Sequence, residues 1–93
     1  MTGSRSVLAR SMAGHDRGRL YVVLEESPDT VLLTDGQLRP LDKPKRKNTK
    51  HIQRICRVPD EVADVLKPEM TDEDVRRALR LYEEEKRVEN RCD

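Results

Sequence analysis

The run Leu20-Tyr21-Val22-Val23-Leu24 constrains the fold more than any other feature of this sequence. As a strand it places Leu20, Val22 and Leu24 on one face and Tyr21 and Val23 on the other, so both faces need cover. A barrel wall supplies that cover. Material for the interior is scarce: of 93 residues, 34% are hydrophobic and 40% charged, and Phe and Trp are absent. The core must be assembled from Val, Leu, Ile, Ala and Met, and a chain of this length buries only roughly 60 to 65% of its unfolded surface. A small barrel with an appended helix fits those limits better than a deep catalytic cavity.

Around that run the chain divides into short extended segments separated by turn chemistry. Ser6 to Met12 reads as a first strand, Ala13 to Gly18 as a glycine-bounded loop, and Arg19 to Glu26 as a second strand. Ser27-Pro28-Asp29 is a turn, because Pro presets its backbone angle and Ser and Asp bond the local backbone. Thr30 to Thr34 resumes the sheet. Asp35-Gly36, flanked by apolar residues, predicts a tight hairpin into a short strand, Gln37-Leu38-Arg39, which Pro40 ends. Lys43 to Lys50, KPKRKNTK, is too charged to bury and reads as a solvated loop. His51 to Cys56 alternates, with Ile52 and Ile55 on opposite faces, and is a candidate closing strand. Five short strands within 57 residues match the size of an SH3-like barrel, whose closure removes exposed edges.

From Val58 onward the period becomes helical. Pro59-Asp60-Glu61 opens a short helix carrying Val62, Val65 and Leu66, ended before Pro68. Thr71 is a good N-cap, and Asp72, Glu73 and Asp74 fall in the first turn, where the helix dipole favours anions. Val75, Ala78, Leu79 and Tyr82 form a stripe, which predicts a helix from Thr71 to about Val88. It serves either as a packing element with a solvated outer face or as a helix that binds a partner. The expected fold is therefore mainly β: a five-stranded SH3-like barrel over residues 1–57, then a C-terminal α-helical segment over residues 58–93.

The net charge of +1 hides an asymmetry. Residues 1–38 hold 4 Lys/Arg against 5 Asp/Glu, residues 39–57 hold 8 against 1, and residues 58–93 hold 7 against 12. A block of net +7 attracts polyanions even when the whole chain is near neutral. A solvated loop that only keeps the protein soluble is the bland alternative, although solubility normally uses interspersed signs.

The segment Ala9 to Leu24, ARSMAGHDRGRLYVVL, resembles a KOW motif, in which a loop ending in glycine passes into an apolar strand; Gly18 matches the motif glycine. A residue without Cβ lets the loop take positive φ and lets RNA or a neighbouring strand approach the backbone, while a plain turn glycine is the other reading. The following LTDGQLRPLDKPKRKNTKHIQRI is similar to small bacterial KOW-domain RNA-binding proteins related to eukaryotic-type large-subunit ribosomal proteins. That resemblance implies an SH3-like barrel, an RNA ligand and an association with translation or the ribosome. The chain departs from the pattern at Arg19, where Lys is common, and Val58 to Asp93 lies outside the resemblance.

The candidate RNA-binding residues are His15, Arg17, Gly18 and Arg19 in the motif loop, with Arg39, Lys43, Lys45, Arg46, Lys47, Lys50, His51 and Arg54 in and around the basic run. Arg57 extends that run. Neutralising successive phosphates would dominate affinity. Only Tyr21 and Tyr82 are aromatic, which suits phosphate and shape recognition of structured RNA better than base stacking along a single strand. Tyr21 is a core or rim residue, or stacks one base; His15 bonds RNA or its own turn.

Other classes fail on inventory. His15, His51, Cys56 and Cys92 show no CxxC or HxxxH pairing, no nucleophile and base are paired, and no phosphate-binding glycine loop ends in Lys-Ser/Thr. The expectation is a non-catalytic protein with no metal or cofactor. Without an apolar span or signal-peptide core, and with two cysteines of reduced type, the chain is expected in the cytoplasm, with no membrane and no small-molecule substrate. Its expected partner is RNA, ribosomal RNA above all, with ribosomal proteins beside it. The alternative is an adaptor that docks on the ribosome or transcription machinery through the barrel or C-terminal helix. The acidic C-terminal part is a candidate to fold back on the basic patch and moderate it.

Overall fold

The computed structural model describes residues 8–55, 58–66 and 69–85. Five strands, β1 (Leu8–Ser11), β2 (Leu20–Glu26), β3 (Thr30–Thr34), β4 (Lys45–Asn48) and β5 (Ile52–Ile55), form one antiparallel sheet in the order β4-β3-β2-β1-β5. A 3-10 turn, Thr49–His51, joins β4 to β5, and two helices follow, α1 (Asp60–Val65) and α2 (Asp72–Glu85). Ser6, Val7, Cys56, Arg57, Pro68, Val88 and Cys92, on which parts of the sequence reading fall, lie outside the described residues.

The sheet is strongly curled. β4 and β5 are its two edges, which in a flat sheet would stand about 19 Å apart at four strand spacings. The link from Asn48 to Ile52 can span at most about 14 Å, and less when wound as a 3-10 turn. The bend comes from β2, whose register against β3 shifts between Val23 and Glu25. Its far end folds over, so that Glu26 meets Arg54 at 2.7 Å although Arg54 pairs with Ala9, well down the sheet.

Curling creates two cores. Ala9, Tyr21, Val31, Leu33 and Ile52, with Val23 beside them, fill the concave side. Leu8, Leu20, Val22 and Ile55 face the convex side, where Val62 of α1 and Val75, Ala78 and Tyr82 of α2 cover them. The double demand of the β2 run is thus met by strands on one side and helices on the other. Thr71 caps α2 as its sequence predicts, its hydroxyl accepting from the Asp74 amide while the Asp74 carboxylate accepts from the Thr71 amide.

Two expectations are overturned. Asp35-Gly36 does not make a tight hairpin, and no strand forms at Gln37-Leu38-Arg39. The Asp35 carboxylate instead accepts from the amides of Gln37 and Arg39 at 2.9 Å each, folding a local turn. Gly36 then packs on the start of α2, with its carbonyl accepting from Arg76 at 2.6 Å, while the Leu41 amide donates to Asp72 at 2.7 Å. The basic run is not a loop throughout either: Lys45–Asn48 is strand β4, paired with β3 from Leu33↔Lys45 to Thr30↔Asn48. Backbone pairing to β3 offsets the poor strand propensity of this segment, and a lysine-rich edge also discourages edge-to-edge association.

Gly36 sits at φ +75°, and a Cβ there would come within 2.5 Å of the Asp72 carbonyl oxygen. Gly18 is at φ +90° with nothing within 4 Å of such a Cβ. Gly36→Ala should therefore lose roughly 2 kcal/mol or more in urea denaturation, and Gly18→Ala only about 1 kcal/mol; equal losses would contradict the contact with α2. Removing residues 58–93 should expose Leu8, Leu20, Val22 and Ile55, giving aggregation or loss of the cooperative transition rather than a soluble barrel.

Candidate nucleic-acid interface

β1 and β2 are joined by a loop closed at its base by Ser11 N–H to Arg19 carbonyl (3.0 Å) and Gly18 N–H to Ser11 carbonyl (2.8 Å). Gly14 and Gly18 both take positive φ, as the loop geometry requires of them. This path turns Asp16 inward over the open end of the concave core. Its Oδ1 accepts from Ser11 Oγ (2.8 Å) and Lys47 Nζ (2.9 Å), and its Oδ2 from Tyr21 OH (2.8 Å) and Lys45 Nζ (2.9 Å). Asp16 is 9% exposed, Lys47 10% and Lys45 26%. Loss of solvent pushes the Asp16 carboxyl up, but two ammoniums and two hydroxyls outweigh it and hold the group well below the usual carboxylate range. Burial, reinforced by the bond to Asp16, carries the Tyr21 phenol above its ordinary value.

The same contacts fuse the motif loop to the basic run. Lys47 Nζ also donates to the Ala13 carbonyl at 2.9 Å, and the Met12 amide donates to the His51 carbonyl at 2.8 Å. His15, Arg17, Gly18 and Arg19 are therefore held against β4 and the 3-10 turn, all four exposed, as are Lys50 and His51. The His15 imidazole makes no hydrogen bond among the described residues, which leaves it facing solvent. Arg46 is exposed on the outer face of β4, with Nη1 3.3 Å from Thr30 Oγ1. Arg39 joins this region indirectly, since Arg19 reaches Asp35 at 3.4 Å in the turn that Arg39 closes.

Not all candidates converge. Arg54 lies at the opposite mouth of the curled sheet, paired with Glu26, and Lys43 sits in a turn beside the start of α2. Lys45 and Lys47 are inward-facing: their positions opposite Leu33 and Val31 put them on the concave side, where Asp16 takes up their ammoniums. Among the described residues, the acids that form ion pairs with the basic run are Asp16 and Glu26, both from the strand half. The interior role of Asp16 and Ser11 was missed in the sequence. A usable signal existed, since lysines at i and i+2 in a strand share a face and an inward pair needs one buried acid.

No protein-family model matches the chain, and no curated protein is significantly similar to it. Among the described residues, no group of three or more His, Cys, Asp or Glu is placed to hold a metal ion, and no helix is long and apolar enough to cross a membrane.

The unfolded chain takes up a proton at Asp16 near pH 4, long before the folded chain does. The stability this carboxylate contributes is therefore whole at neutral pH and fades as pH falls below about 4. Asp16→Asn should lose roughly 2 to 3 kcal/mol at pH 7, short of the full effect of an orphaned buried charge because Lys45 keeps some water. Its denaturation midpoint should also fall less steeply with acid than that of the unaltered chain; parallel acid limbs would refute this account.

Proposed function

We propose that this protein is a non-catalytic RNA-binding module of the cytoplasm, built on an SH3-like barrel of KOW type. The strand order, the curl and the single 3-10 turn between β4 and β5 support that barrel. The observation that carries the function is the joining of the loop His15–Arg19 to the basic run through Met12, Ala13 and Asp16. Arg17, Arg19, Arg46 and Lys50 are then all exposed on elements tied to one another, while Lys45 and Lys47 are bonded to Asp16. Cations on a preorganised surface bind a polyanion without the ordering entropy that a free tail would lose.

The outward groups are guanidiniums, an ammonium and an imidazole, with Tyr21 buried beneath them. That inventory suits phosphates of structured RNA over splayed bases. Together with the KOW resemblance it favours ribosomal RNA as the ligand.

Binding to a labelled RNA hairpin should weaken with salt at a log–log slope of about 3 to 4, as for roughly four phosphates. Arg17→Glu and Lys50→Glu should each lower affinity several-fold and flatten the slope by about 1 while leaving the melting transition in place. A chain whose RNA affinity is absent at low salt, or indifferent to salt, is not the binder proposed. Crosslinking in cells should enrich ribosomal RNA over messages; no enrichment would remove the ribosomal assignment alone.

A further inference from the structure

Helix α2 belongs to the acidic third of the chain, yet its charges are sorted by side. One cleft, of about 440 Å³ between α1 and α2, holds Glu61, Asp64 and Asp74 with a single cation, Arg77. The cleft on the other side, about 430 Å³, lies between α2 and the two loops of the strand half, and holds Arg19, Arg76 and Arg80. Its two acids are already engaged. Asp35 accepts from two backbone amides and from Arg19, and Glu83 accepts from Arg10 at 3.2 Å.

Arg76 and Arg80 are one helical turn apart, and both are exposed. Arg76 is anchored by its bond to the Gly36 carbonyl, which fixes one edge of its guanidinium in place. The Arg80 guanidinium has no hydrogen bond or ion pair among the described residues. The cleft is also continuous with the proposed RNA surface, because Gly18 and Arg19 line both it and the adjoining depression of about 270 Å³ that Arg17 borders.

We infer that this arginine cleft is a second phosphate-binding site, which takes a phosphodiester of the same RNA as its backbone passes from Arg17 over Gly18 to α2. The inference rests on the RNA-binding reading and extends it to a helix that charge counting excludes. Planar guanidiniums on two sides of a cleft can grip one phosphate from both, which a lysine in that place would not reproduce. Arg80 supplies the charge without a structural duty, and Arg76 supplies a donor already oriented.

The test compares hairpin RNA affinity and its salt dependence for the full chain, Arg80→Glu, Arg80→Gln, Arg77→Glu and Arg17→Glu, each checked for an unchanged thermal transition. Arg80→Glu should lower affinity several-fold and flatten the log–log salt slope by about 1, with Arg80→Gln intermediate. Arg77→Glu carries the same change in net charge but lines the cleft between α1 and α2, not the arginine cleft, and should behave like the unaltered chain. If Arg17→Glu weakens binding while Arg80→Glu does not, the cleft is no phosphate site and the RNA reading stands. Equal loss in Arg77→Glu and Arg80→Glu overturns the cleft in favour of overall charge. An unaltered chain that fails to bind RNA overturns both readings together.

Discussion

Two ammoniums, a phenol and a hydroxyl converge on the carboxylate of Asp16, and the strand half of the molecule is arranged around that convergence. Lys45 and Lys47 can point into a concave core only because one acid meets both of them there. That in turn lets a stretch reading KRKN act as a strand, which gives β3 a partner and brings the sheet edge round to β5 through three residues. At the other mouth Arg54 and Glu26 repeat the arrangement with a single pair. A concave core without Phe or Trp is thus flanked by ion pairs at Asp16 and at Glu26.

The convex side is organised differently. There the helices supply apolar cover, and the seam is held by backbone groups: the Gly36 carbonyl to Arg76, and the Leu41 amide to Asp72. Gly36 has to be glycine because the seam leaves no room for a Cβ, a tertiary requirement that a dipeptide rule for hairpins does not contain. Arg10 adds a third tie, donating to the Gly18 carbonyl at 2.8 Å and to Glu83 of α2. The motif loop is therefore fixed from both sides, by Asp16 beneath it and by Arg10 behind it.

This division of labour changes what the basic run can do for a ligand. Its net +7 is not all free for a ligand: Lys45, Lys47 and Arg54 are paired within the strand half, and the groups left outward are Arg46 on the outer face of β4, Lys50 on the 3-10 turn, and Arg39 and Lys43 in the turn region before β4. Conversely, the acidic C-terminal third contributes Arg76 and Arg80 to the same side as Arg19. Charge totals along the chain and charge exposed at a surface are different quantities, and a polyanion responds to the second.

Elements whose signal is local are legible in the chain directly. The two-faced run of β2, the bounds of β3, the opposed Ile52 and Ile55, the Thr71 cap and the Val75, Ala78 and Tyr82 stripe all depend on alternation, helical period or capping chemistry within a few residues. The need for a glycine at position 18 was legible for the same reason. That Asp35-Gly36 serves a helix seam instead of a hairpin, that KRKN is a strand, and which lysines face in are set by long-range contacts. Each of those outcomes hangs on a partner distant in the chain: α2 for Gly36, and Asp16, some thirty residues away, for Lys45 and Lys47. Inward lysines are tolerated in a strand only where an acid removes the cost of leaving them buried and unpaired, and no window of sequence around that strand contains the acid.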